Sequence, residues 1–102
     1  MTNKKIIYEI TARVRADLVD RYEDFMRARH IPDLLATGCF ERAELARADG
    51  GRYRIRYAAA GAGALDAYLA REAARLRADF TEHFPEGVEL SREIWEVVEE
   101  WE

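Results

Sequence analysis

The stretch His30-Ile31-Pro32-Asp33-Leu34-Leu35-Ala36-Thr37-Gly38-Cys39-Phe40 constrains this chain more than any other. Pro32 has no N–H to give and disfavours helical backbone at the residue before it, so a helix arriving from upstream is expected to stop at His30 or Ile31. Gly38 then suits a left-handed cap after a short apolar turn through Leu34 and Leu35. A histidine, an aspartate and a glycine hinge gather at this turn, which makes it the natural rim of a pocket.

The flanking segments follow from periodicity. Between Lys5 and Val14, Ile6, Tyr8, Ile10, Ala12 and Val14 alternate with Ile7, Glu9, Thr11 and Arg13, the period of a half-buried strand. Asp17 is placed to take up the free N–H groups of a first helix over Asp17–His30, with Leu18, Tyr22, Phe25 and Met26 on its apolar face. Cys39–Arg47 and Arg52–Ala60 flank Asp49-Gly50-Gly51, a hairpin signal because glycine accepts positive φ. A three-residue loop with Gly51 left-handed sets Leu45 opposite Ile55, Ala43 opposite Tyr57, and Glu44 opposite Arg56. A shorter loop would set Arg47 against Arg52 and Leu45 against Arg54. A second helix is expected over Ala64–His83, built on Leu65, Tyr68, Leu69, Ala73, Leu76 and Phe80 and ended by Pro85.

The last element, Val88–Trp101, is apolar on both parities: Val88, Leu90, Ile94 and Val98 on one, Trp95, Val97 and Trp101 on the other. A four-stranded sheet with helices on one side leaves one of those faces bare. A second copy of the same sheet is the economical cover, and a homodimer through the sheet face and last strand is therefore expected. The order β-α-β-β-α-β is the ferredoxin-like arrangement, an α+β fold with strands one and three central and both helices on one face. By length, all 102 residues are expected to form one such domain.

Composition narrows function mainly by exclusion. A net charge of -4, with arginines scattered among acids, speaks against a nucleic-acid partner. No apolar run is long enough to cross a bilayer, and Met1-Thr2-Asn3-Lys4-Lys5 leads straight into a strand pattern, so the expectation is a cytoplasmic protein with no membrane partner. The single cysteine, Cys39, excludes an internal disulfide and reads as a small buried residue. Gly61-Ala62-Gly63 lacks the Lys-Ser/Thr pair of a phosphate loop and the third glycine of a dinucleotide site, and no cofactor is expected. His30 and His83 end helices that run antiparallel, which would separate them by about 21 Å, the length of a fourteen-residue helix. Each is expected to cap its own helix.

Strand one, His30-Ile31-Pro32 with Thr37-Gly38-Cys39-Phe40, the run from Arg77 to Pro85, and Ser91-Arg92-Glu93-Ile94-Trp95-Glu96-Val97 together resemble a bacterial domain-of-unknown-function family. That family is similar to the dimeric α+β barrel proteins, and the resemblance implies a ferredoxin-like protomer and a dimer packed sheet against sheet.

Two functions suit such a chain. In the first, a small apolar or aromatic ligand sits between sheet and helices, against Tyr8, Tyr22, Tyr57, His30, Asp33 and Arg92. In the second, the chain is similar to the cofactor-independent monooxygenases and isomerases of the dimeric barrels, with His30 as base and Arg92 or a tyrosine steadying an anion. The Asn-Trp pairing of the quinone-forming monooxygenases is not apparent, since the one asparagine is Asn3 and the tryptophans are Trp95 and Trp101. A heme-degrading role would use His30 as axial ligand, and no other residue supports it. RNA binding would need aromatics on the bare face of the central strands, where the pattern puts Glu9, Arg13, Arg54 and Arg56.

Overall fold

The computed structural model describes residues 4–102, so Asn3 lies outside the described residues. Strand β1 (Ile6–Val14) buries Ile6, Tyr8, Ile10, Ala12 and Val14 against the helices, as its alternation requires. It pairs antiparallel with β3 (Arg52–Ala59) on one side and β4 (Val88–Glu96) on the other, and β2 (Arg42–Ala48) lies outside β3. The sheet order β2-β3-β1-β4 is the ferredoxin-like one, with helices on a single face. Leu45 stands opposite Ile55, Ala43 opposite Tyr57 and Glu44 opposite Arg56, the register that a three-residue loop imposes. No described helix is long and apolar enough to cross a membrane.

The first helix does not end at Pro32. A short 3-10 turn (Ala16–Leu18) leads into α1 (Val19–Phe25), a π-turn over Met26–His30, and α2 (Ile31–Ala36), with helical backbone at each junction. Within the π-turn the Ile31 N–H reaches back five residues to the Met26 carbonyl. That widening lets Pro32 sit in the first turn of α2, where its missing N–H costs nothing. The termination comes later, at Gly38, whose φ of 77° forms the expected left-handed cap and whose N–H donates to the Leu35 carbonyl. Leu34 and Leu35 are thus helix, not turn. Asp17 does not cap the helix either, because Arg15 takes its carboxylate with contacts of 2.6 and 3.2 Å.

The second helix is broken into α3 (Ala62–Arg71) and α4 (Ala73–His83) at Glu72. The buried residues explain the break. Leu65 and Tyr68 face the sheet in α3, then Ala73, Leu76 and Phe80 in α4. At 100° per residue a straight helix would swing Ala73 away from Tyr68, and the irregular residue between the two helices restores the facing. Leu69, assigned inward by its spacing, is outside. Strand β4 ends at Glu96, short of the expected Trp101, and Val98 and Trp101 are 79% and 80% exposed.

Glu23 fastens α1 to the β2–β3 hairpin. Its carboxylate accepts from the Tyr53 hydroxyl at 2.6 Å and from Arg47 at 2.8 Å, and these bonds hold it below the usual carboxylate range. Glu23→Ala is expected to cost about 1–2 kcal/mol in urea titrations, because the Tyr53 hydroxyl loses a charged acceptor. An unchanged midpoint would show that the cluster contributes nothing to stability.

Candidate functional site

The π-turn decides what faces the interior. It turns both Met26 and His30 inward, and His30 is the one buried charged-type residue among the described residues. His30 therefore caps nothing. Its expected place at a helix terminus is lost because the helix runs on to Ala36, and its Nδ1 has no hydrogen-bond partner. Burial lowers its pKa to about 4, so the imidazole is neutral at ordinary pH.

His83 does cap its helix: Nδ1–H donates to the Asp79 carbonyl at 2.8 Å. The expected separation of the two histidines fails. Both rings pack on Phe25, with centroids 5.8 Å away for His30 and 4.5 Å for His83, because His30 lies in mid-helix opposite α4. Among the described residues no cluster of three or more His, Cys, Asp or Glu side chains is placed to hold a metal ion.

Between sheet and helices lies a small cavity of about 60 Å³. Tyr8 and Ile10 of β1 form its floor, with Leu90 and Arg92 of β4 beside them; Tyr22, Met26, His30 and Tyr68 close it from above, and Arg77, Phe80 and Thr81 of α4 complete it. Arg77, Thr81 and Arg92 are exposed, so the mouth opens between α4 and β4. Of the residues singled out from the sequence, Tyr8, Tyr22, His30 and Arg92 meet here. Asp33 and Tyr57 do not. Asp33 lies near enough to favour a charge on His30, and Tyr57 is fully buried against Tyr8 and Phe40. Sequence reasoning missed Tyr68, Arg77 and Thr81 as lining residues. Tyr68 was legible as a hydroxyl on an inward stripe, and Arg77 as the residue three before Phe80, on the flank of the same helix.

The polar atoms of the cavity fall into two groups. The Tyr8 hydroxyl accepts from Arg77 at 3.0 Å. The Tyr22 hydroxyl and His30 Nδ1 are buried without any partner. Burial pushes the Tyr22 hydroxyl pKa well up, and that of Tyr68 up to about 12, so these phenols stay protonated. Leaving such a group unpaired costs about 1–3 kcal/mol. Trp95 stands on the opposite sheet face, across from Ile7, and so cannot join this cavity.

The fold is shared with several solved structures. SnoaB, a cofactor-independent oxygenase from Streptomyces nogalater, superposes with a TM-score of 0.73 at 14% identity, over 95% of this chain and 96% of that one. A dimeric ferredoxin-like protein from an uncultured marine organism gives 0.69 at 15% identity, over 97% and 100%. A protein of unknown function from Nitrosomonas europaea gives 0.70 at 15%, over 99% and 96%. At these identities the likeness is one of fold. No curated protein matches the chain. Kinship in sequence runs instead through the model of a domain of unknown function, DUF4286, which matches residues 5–98 and so takes in every element from β1 to β4: the chain belongs to the DUF4286 family.

Proposed function

We propose that this protein is a cytoplasmic homodimer that binds a small ligand in the cavity between sheet and helices, an apolar or aromatic body carrying an oxygen that enters the cavity first. The observation that carries the reading is the pair of buried, unpartnered polar atoms on one cavity wall, the Tyr22 hydroxyl and His30 Nδ1. Both groups are uncharged, and a carbonyl or hydroxyl oxygen can take a hydrogen bond from either. About 60 Å³ is well below the roughly 150 Å³ that encloses benzene, so only the polar head is swallowed. The body lies at the mouth, on Leu90 and beside Arg77 and Arg92.

Self-association is supported by Ile94 (56% exposed) and Trp95 (48%), which leave apolar surface on both faces of β4, and by the dimeric ferredoxin-like relative. The oxygenase-type reading stands second. Its base would be His30, and a base that holds a proton only near pH 4 is far from the pH at which it would work.

The test is binding of phenol, 4-hydroxybenzoate and 1-naphthol to the wild type and to Tyr22→Phe, by calorimetry. At least one probe is expected to bind the wild type and to lose about 5–30-fold in affinity in the variant, the worth of one buried hydrogen bond. If no probe binds, or if the variant binds as well as the wild type, the two atoms serve only to hold water. A His30→Ala variant that keeps fold and dimer but loses the probe places the second contact.

A further inference from the structure

The register of the sheet puts three charged side chains on its helix-facing side: Arg47 of β2, and Arg92 and Glu96 of β4. Arg47 is answered by Glu23 at 2.8 Å and Glu96 by Lys4 at 3.6 Å. Among the described residues Arg92 has no such answer, neither an ion pair nor a side-chain hydrogen bond. A charge turned inward on an edge strand discourages another strand from pairing there, and β4 is an edge. Any position along β4 would serve that purpose, whereas Arg92 stands at the cavity.

Arg92 lies across from the buried Ile10, and with Leu90 it forms the sheet side of the cavity mouth. Arg77 comes to the same mouth from α4, where its guanidinium donates to the Tyr8 hydroxyl at 3.0 Å. Both positive charges reach the Tyr68 hydroxyl and pull against the burial that raises its pKa, and Arg92 also bears on His30. Two exposed guanidiniums thus converge on one opening. The chain does little to offset them. No Asp or Glu is among the described residues that line the cavity, and Asp79, the carboxylate that bears most on His30, is held by Arg29 at 2.6 and 3.1 Å.

We infer that the ligand is a carboxylic acid, bound as its anion: an aromatic or apolar body whose uncharged oxygen enters toward Tyr22 and His30, and whose carboxylate stays at the mouth with Arg77 and Arg92. This rests on the binding cavity proposed above and adds the ligand's charge and its direction of entry. The interior offers only uncharged partners, so a carboxylate pushed inside would give up its water for too little in return. At the mouth it keeps water on one side and takes paired N–H groups from a guanidinium fork on the other. The cavity's 60 Å³ admits the head and not a ring, which leaves a group on the far side of the ring outside, level with the arginines. Thr81 lines the same mouth and has a hydroxyl to donate.

Calorimetry with 4-hydroxybenzoate and its neutral isostere 4-hydroxybenzamide separates charge from shape. The wild type is expected to bind the carboxylate about tenfold more tightly than the amide at about 50 mM NaCl, and to lose much of that preference at about 500 mM. Arg92→Gln is expected to bring the preference within about threefold, and Arg92→Lys, which keeps the charge without the fork, to retain part of it. The preference is a ratio taken within one variant, so a smaller folded fraction does not alter it. Equal binding of acid and amide by the wild type, binding of phenol alone, or a preference that survives Arg92→Gln would overturn the carboxylate and leave the cavity with an uncharged ligand. If acid, amide, phenol and 1-naphthol all fail to bind, the cavity reading falls and the carboxylate with it.

Discussion

Gly51→Ala is expected to destabilise the fold by about 2–4 kcal/mol, lowering the melting temperature by roughly 10–20 °C for a domain of this size. Two causes add. Gly51 has φ of 74°, which costs a side-chain-bearing residue about 1 kcal/mol or more, and a Cβ there would run into the carbonyl oxygen of Val14. The backbone cannot retreat, since the Val14 N–H donates to the Gly51 carbonyl at 2.8 Å and ties the hairpin to the end of β1. Gly50 supplies the control. It has nearly the same φ, 78°, with nothing within 4 Å of its added Cβ, so Gly50→Ala should show the conformational cost alone. Equal effects at the two sites would show that the Val14 contact does not constrain the turn.

Acidification is the second large effect. His30 titrates near 4 when folded and near 6.5 when unfolded, so between those values the unfolded chain binds a proton that the native chain refuses. Stability tied to His30 is therefore complete above pH 6.5 and is lost as pH falls toward 4. Between pH 7 and pH 5 the loss is about 2 kcal/mol, at pH values still above the range where the carboxylates protonate. His30→Leu should flatten that slope in urea titrations at fixed protein concentration. A variant with the wild-type slope would assign the pH dependence to other groups.

The residues that made the fold legible are those whose periodicity maps directly onto burial. The alternation of β1 and the cross-strand logic of Leu45 with Ile55 led to the sheet order and register without ambiguity, because a one-residue slip would have buried arginines. The helices were less legible. Pro32 looks like a stop, but a π-turn ending two residues upstream absorbs it, and nothing in local sequence distinguishes a helix that ends from one that widens. The same widening hid the site. Read as a terminal residue, His30 belonged to a rim with Asp33, whereas in mid-helix it is buried against Phe25 and Phe80 and shares a cavity with Tyr22. Glu72 hid the place of Leu69 in the same way, since one irregular residue offsets the inward stripe of α4 from that of α3, and a single unbroken stripe drawn through both wrongly took in Leu69.

In the proposed ligand-binding protein, His30 is buried, neutral and without a partner at Nδ1 until a ligand arrives. Nitrogen-detected NMR of the imidazole measures this directly, followed from pH 7.5 to 4 without and with saturating 4-hydroxybenzoate. A neutral ring down to about pH 4, whose Nδ1 resonance moves when the probe is added, is the predicted result. An imidazole that titrates near 6.5 and whose Nδ1 ignores the probe would contradict it.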